Sequence, residues 1–216
     1  MSPLSKKIIK IEPVNSVFSI TWNIGLRCNF DCMYCPEKYH NLTDADLTLS
    51  ELQNRWDIIF SKTQKRGLKY KLGFTGGEVT VNKNFLPFLI WLNENYKEYI
   101  FETGITTNGS ANKQYYLDVI SIDIISSISF STHSEFFNER KFFENVIAVN
   151  MLSQSLNKHI HVNIMNEFWN IDKSNKYCKF LKDHNINYSL NEIDYRYKIR
   201  DTVKINPNKK EFNFDV

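Results

Sequence analysis

The stretch Cys28-Asn29-Phe30-Asp31-Cys32-Met33-Tyr34-Cys35 holds three of the four cysteines of the chain, in a C-x3-C-x2-C spacing. Three thiolates within eight residues can hold three irons of a [4Fe–4S] cluster, which leaves the fourth iron without a protein ligand. Clusters that only carry electrons take four cysteines. The spacing therefore predicts metal ligands at Cys28, Cys32 and Cys35, and it favours a cluster that takes part in chemistry.

The segments around this loop alternate between strand and helix patterns. A strand-like run over 17–23 leads into the cysteines, and further strands are predicted at 70–74, 100–107, 124–130, 159–165 and 186–190. Thr48 and Glu51 form a capping box at the start of the first helix. The fourth helix shows a predicted apolar stripe at Phe143, Val146, Ile147 and Met151. Strands that alternate with helices in this way predict an α/β fold of parallel strands with right-handed crossovers.

Polar or glycine-rich motifs follow each predicted strand. After the cysteines these are Gly76-Gly77-Glu78, Asn108-Gly109, Ser131-Thr132-His133, Asn166-Glu167 and Asn191-Glu192. In α/β barrels the active site lies at the carboxyl ends of the strands, so these motifs are expected at one mouth. Three acids at this end, Glu167, Glu192 and Asp194, are expected to be solvated. His133 is expected to be a structural residue with a satisfied side chain, with substrate contact as the alternative.

The cysteine loop after the first strand, Tyr34 before the last cysteine and Gly76-Gly77-Glu78 after the second strand together resemble the radical S-adenosylmethionine (SAM) superfamily. The resemblance covers roughly residues 17–192. It implies an open-sided partial (β/α)6 barrel with a [4Fe–4S] cluster and SAM as cofactors. In such enzymes SAM binds the open iron and is cleaved reductively to a 5′-deoxyadenosyl radical, which abstracts a hydrogen atom from the substrate.

The resemblance also implies a set of cofactor-binding residues. Glu78 and the backbone around Gly76 and Gly77 would contact the SAM amino group, and Tyr34 would line the adenine side. Candidates for the ribose hydroxyls are Ser129 and Ser131, two apart on one strand face, with Asn163 on the fifth strand as a further one. Taken singly, these glycines and serines also fit ordinary turns and small strand residues, and Asn108-Gly109 fits an ordinary turn. No catalytic residue is assigned.

Composition limits the classes of function. The 216 residues, 42% hydrophobic, fit one domain over 17–193, with an N-terminal extension at 1–16 and a basic, aromatic tail at 194–216 that would pack on or near the barrel. A net charge of +3, scattered along the chain, argues against a nucleic-acid partner. No apolar run is long enough for a membrane span. Three clustered cysteines and a distant Cys178 do not make a disulfide framework, which favours the reducing cytoplasm.

The expected partners are a small polar substrate (a nucleotide, a nucleotide sugar or a peptide) and a one-electron donor such as a flavodoxin or ferredoxin. Four cysteines cannot build an auxiliary-cluster domain. The alternatives are an RNA-modifying enzyme of the same superfamily, a relative that keeps the cluster only for structure, and a non-catalytic binding protein with a zinc ion on the cysteines and His40. Cys178 is expected to be a boundary thiol rather than a hydrogen-atom donor.

Overall fold

Six strands in the described part of the chain form one parallel sheet. The computed structural model describes residues 17–36, 45–64, 67–167 and 170–193. The strands are β1 (Val17–Asn23), β2 (Lys69–Thr75), β3 (Ile100–Thr107), β4 (Ile125–Thr132), β5 (His159–Asn166) and β6 (Tyr188–Glu192). They lie in the order β1-β2-β3-β4-β5-β6, and each neighbouring pair is parallel. The sheet is therefore open, with β1 and β6 as its two edges.

Helices connect the strands and cover one face of the sheet. They are α1 (Leu49–Thr63), α2 (Phe85–Tyr96), α3 (Lys113–Ser121), α4 (Glu139–Ser155) and α5 (Ile171–Asp183). Consecutive parallel strands in sequence order, joined by right-handed crossovers, place all their helices on the same side. This arrangement confirms the predicted α/β fold of parallel strands and is consistent with a partial barrel. Among the described helices, none is long and apolar enough to cross a membrane.

The hydrophobic core lies between the helices and the apolar face of the sheet. On β2, Tyr70, Leu72 and Phe74 are fully buried, and the residues between them are not. Trp56 of α1 packs edge-on against Tyr70 with ring centroids 5.2 Å apart, and Phe88 of α2 packs in the same way on Trp22 of β1 at 5.5 Å. Each such buried side chain contributes about 1.5–3 kcal/mol. The alternation of buried and exposed residues along the strands therefore fixes which face of the sheet the helices cover.

The opposite face of the sheet is polar and is named here the open face. Strand residues that alternate with the core residues form it, namely Ser19, Thr21, Asn23, Gly73, Thr75, Gly104, Thr106, Ser127, Ser129, Ser131, His161, Asn163, Ser189 and Asn191. Asn163 pairs in register with Ser131 of β4 and with Ser189 of β6. A row of hydroxyl and amide groups therefore crosses the strands, with the cysteine loop at their carboxyl ends.

Local structure agrees with most, but not all, of the sequence-based expectations. The capping box is confirmed: Glu51 N–H donates to Thr48 Oγ1 at 3.3 Å, and Thr48 N–H donates to Glu51 Oε2 at 2.8 Å. The stripe predicted for α4 is wrong in part, because Met151 is 68% exposed and Val149 is fully buried instead. Strand β4 runs on to Thr132, so Ser131 belongs to the strand. The extension 1–16, His40, Asp194 and the tail 194–216 lie outside the described residues.

Candidate cofactor site

The three clustered cysteines lie in the loop that follows β1. All three side chains are thiols rather than disulfides; Cys32 is buried, and Cys28 and Cys35 are partly exposed. The loop turns tightly at its end, where the Cys35 N–H donates to the Cys32 carbonyl at 3.1 Å. The Cys28 Sγ accepts the Phe30 N–H at 3.4 Å. The predicted ligands thus share one loop whose backbone already supplies a donor to sulfur.

Burial dominates the acid–base properties of these thiols. Desolvation raises the pKa of Cys28, and the negative charge of Glu78 raises it further. Desolvation also raises the pKa of Cys32 strongly, with additional contributions from Glu135, Cys28 and Cys35. Cys28 and Cys32 without a bound metal are therefore held protonated at neutral pH, and a positively charged group that binds here must displace those protons.

The donor set fits an iron–sulfur group. Thiolates are the ligands that such clusters take, and N–H donors to sulfur are a regular part of their surroundings. Among the described residues, no three acidic, histidine or cysteine side chains are arranged to hold a single metal ion. The fit to a cluster therefore rests on three neighbouring thiols, two of which raise the pKa of Cys32, and on the N–H groups directed at Cys28.

The Gly76-Gly77-Glu78 turn is docked on the backbone that leads into Cys28. Gly77 N–H donates to the Gly25 carbonyl at 2.9 Å, and Glu78 N–H donates to the Arg27 carbonyl at 2.7 Å. A Cβ on Gly77 would lie 2.1 Å from the Arg27 carbonyl oxygen, and one on Gly76, whose φ is +146°, would lie 2.5 Å from the Gly25 carbonyl oxygen. Two glycines are therefore needed simply for this turn to reach the cysteine loop.

The Glu78 carboxylate is buried and accepts four hydrogen bonds from its own chain. Its Oε1 accepts from the Thr80 N–H at 3.0 Å and from the hydroxyls of Thr80 and Thr107 at 2.7 Å each. Its Oε2 accepts from the Asn108 N–H at 2.6 Å. Burial raises the pKa of Glu78, and these hydrogen bonds oppose the shift. Glu78 thus ties the end of β2 to the end of β3, and its contact with a SAM amino group stays a prediction.

Aromatic rings line the side of the cysteine loop that faces β4. The Tyr34 hydroxyl and His133 Nδ1 share a hydrogen bond at 2.5 Å, and the two rings stack with centroids 6.0 Å apart. Phe30 packs edge-on against His133 at 6.0 Å and stacks on Phe136 at 5.9 Å. Burial lowers the pKa of His133 to about 4, so the ring is neutral at neutral pH. The structure therefore gives His133 a partner that the sequence did not identify.

The ribose candidates lie together on the open face. Asn163 Nδ2 donates to Ser129 Oγ at 2.8 Å, and Asn163 Oδ1 accepts from Ser189 Oγ at 3.1 Å and from Asn191 Nδ2 at 3.4 Å. Ser131 is buried and stands opposite Asn163 in the register of the sheet. The sequence reasoning missed Ser189, and it placed Asn191 after the sixth strand without a role, whereas the structure puts Asn191 on β6. The sequence signal for both residues is the alternation of β6, in which every second residue, Ser189 and Asn191, is polar.

The expectation that Glu167 is solvated is wrong. Glu167 is 1% exposed, and its carboxylate accepts a hydrogen bond from the Ser134 hydroxyl. Asn170 N–H donates to the Glu167 carbonyl at 2.8 Å. Glu192, at the end of the edge strand, is exposed as expected. Cys178 lies partly buried on α5 at the margin of the core.

Comparison with known proteins gives partial similarities. No family model matches the chain. An uncharacterized protein of Methanocaldococcus jannaschii is 28% identical over 105 residues, which are 48% of this chain and 35% of that protein. The GTP 3′,8-cyclase of Rhizobium leguminosarum bv. trifolii is 40% identical over 86 residues, 39% of this chain and 23% of the enzyme. That of Campylobacter lari is 32% identical over 100 residues, 45% of this chain and 29% of the enzyme.

These matches cover less than half of the chain and about a quarter to a third of the length of each relative. GTP 3′,8-cyclases are radical SAM enzymes, so the two cyclase matches support a relationship to that superfamily and, through it, an enzyme. The matches do not extend to the substrate or the reaction of the cyclases, because each leaves most of the cyclase unmatched.

Proposed function

We propose that this protein is a radical SAM enzyme in which Cys28, Cys32 and Cys35 hold a [4Fe–4S] cluster. The observation that carries the proposal is the loop itself, which holds three thiols and to whose backbone the Gly76-Gly77 turn is hydrogen-bonded. The partial similarity to GTP 3′,8-cyclases supports it independently.

When bound, the cluster and SAM supply the electron and the 5′-deoxyadenosyl radical that removes a hydrogen atom from the substrate. The residues of the chain bind and orient the cluster and SAM, and they exclude water from the site. Phe30, Tyr34 and His133 keep water away from one side of the cysteine loop. The turn at Gly76 and Gly77 presents backbone groups beside that loop for the amino group of SAM. Ser129 and Asn163 offer hydroxyl and amide groups for its ribose.

The substrate is a small polar molecule that lies along the open face. The hydroxyl, amide and imidazole groups of Asn163, Ser189, Asn191 and His161 supply both donors and acceptors there. The name of the cyclase relatives makes GTP the first nucleotide to test. Nucleotide sugars and peptides are the other classes that the open face suits. The electron would come from a flavodoxin or ferredoxin.

The proposal is tested by reconstituting the purified protein with iron and sulfide in the absence of oxygen. We expect about four irons and four sulfides per chain, as a [4Fe–4S] cluster requires. Cys32→Ala should lose them, and Cys178→Ala, the matched control on α5, should retain them. Stoichiometric zinc, or equal iron in both variants, would contradict the proposal and favour a structural metal site.

A further inference from the structure

Asn108 connects three segments at the carboxyl end of the sheet. It follows β3 directly and is 4% exposed. Its backbone N–H donates to Glu78 Oε2 at 2.6 Å. Its side-chain Nδ2 donates to Asn29 Oδ1 at 2.9 Å and lies 3.9 Å from Cys28 Sγ, within hydrogen-bonding distance of sulfur. One residue thus joins the glycine turn to the first cysteine.

The orientation of the Asn108 amide is fixed by its surroundings. Oδ1 accepts the Ser110 N–H at 3.0 Å, so the oxygen must face Ser110. The amide nitrogen must then face Asn29 and Cys28, because the reversed amide would set its NH2 group against the Ser110 N–H. Gly109 permits the turn, with φ at +74° and no room for a Cβ, which would lie 2.5 Å from Phe142. The side-chain N–H groups of Asn108 therefore point at the cysteine loop.

We propose that Asn108 is a positioning residue that donates an N–H···S hydrogen bond to the Cys28 thiolate and thereby raises the reduction potential of the cluster. The inference rests on the proposed function, because it presupposes a cluster on the cysteines. Reduction adds negative charge to the cluster and its thiolates, and a donor to sulfur stabilises that electron-rich state. Phe30 supplies a second donor to the same sulfur, but from its backbone, so side-chain substitution leaves it in place.

Glu78 has a defined part in this arrangement. Its carboxylate holds the Asn108 backbone, while the Asn108 side chain reaches the cysteine loop. The acid of the glycine turn thus acts on the cysteine loop through Asn108. The Glu78 carboxylate thus holds the donor, Asn108, beside Cys28 Sγ.

The experiment is a redox titration of the reconstituted protein, followed by electron paramagnetic resonance of the reduced cluster. Asn108→Leu removes the donor, and Asn108→Asp keeps the shape and the acceptor for Ser110 but replaces the donor by a carboxylate. Asn29→Ser is the matched control, because it removes the other partner of the amide and leaves Cys28 Sγ within its reach. Iron and sulfide content are measured for every variant.

We expect both Asn108 variants to hold the cluster at a more negative potential than the parent, with Asn108→Asp lowest and Asn29→Ser close to the parent. At a fixed ambient potential the ratio of reduced to oxidised cluster should fall several-fold; for a one-electron couple, about 59 mV corresponds to tenfold. Intact clusters with unchanged potentials would overturn the inference and leave the proposed function standing. If both Asn108 variants lose the cluster, the residue is structural and the inference also fails. A parent protein that binds no cluster would overturn the proposed function itself.

Discussion

Substitution of Gly77 by alanine tests how tightly the glycine turn is bound to the cysteine loop. The added Cβ would lie 2.1 Å from the Arg27 carbonyl oxygen, 2.5 Å from its carbonyl carbon and 2.7 Å from the Leu26 carbonyl oxygen. All three atoms are backbone, so no rotamer change can relieve the contact. The two segments must separate, and the hydrogen bonds of the Gly77 and Glu78 N–H groups to the loop are then lost.

The size of the effect follows from these contacts. Two backbone hydrogen bonds contribute about 0.5–1.5 kcal/mol each, and overpacking a buried contact costs about 1–3 kcal/mol. The expected loss in the free energy of unfolding for Gly77→Ala is therefore about 2–6 kcal/mol. The measurement is urea unfolding of the reduced, metal-free protein, followed by circular dichroism.

Gly25→Ala is the matched control for this substitution. Gly25 belongs to the same loop, but a Cβ there meets nothing within 4 Å. We expect its free energy of unfolding to stay within about 0.5 kcal/mol of the parent. If Gly77→Ala proves as stable as Gly25→Ala, the turn is not packed on the cysteine loop as described, and the structural role assigned to the two glycines is wrong.

Three further predictions concern the buried groups around the site. Glu78→Gln should lower the free energy of unfolding by about 2 kcal/mol or more. The reason is that the new amide NH2 group would face at least one N–H or O–H group that now donates a hydrogen bond to the carboxylate. An unchanged urea midpoint would contradict this prediction. Burial holds the pKa of His133 at about 4, below its ordinary 6.5, so the unfolded chain binds the proton first. Stability should therefore fall as the pH drops from 6.5 towards 4, by at most roughly 3 kcal/mol, and His133→Asn should flatten that part of the urea-derived stability profile. Cys178→Ser should leave the visible absorption of the reconstituted protein unchanged, while Cys32→Ser abolishes it; equal loss in both would mean that the cysteine loop is not the binding site.

Much of the fold was predictable because its signals are local. The strands predicted at 17–23 and 100–107 coincide with β1 and β3, and the Thr48 capping box marks the start of α1. Three thiols within eight residues needed no tertiary information either. The fourth helix was harder, since Met151 and Val149 both suit a helix and only packing decides that Val149 is buried and Met151 is exposed.

The hydrogen-bond network of the site depends on contacts between residues far apart in sequence. Glu78 meets Thr107 and Asn108, and Tyr34 meets His133, only because the carboxyl ends of parallel strands converge. An acid such as Glu167 looks the same in sequence whether the chain turns outward or inward after its strand. Sequence reasoning placed these residues at the carboxyl ends of the strands, and the hydrogen-bond partners there had to come from the structure.

Cleavage of SAM tests the central claim most directly. Protein reconstituted without oxygen would be mixed with SAM and dithionite, and 5′-deoxyadenosine would be measured by chromatography. The account predicts its formation by the parent protein and its loss in Cys32→Ala. A protein that binds a cluster on the three cysteines and yet forms no 5′-deoxyadenosine under these conditions would contradict the assignment to radical SAM chemistry.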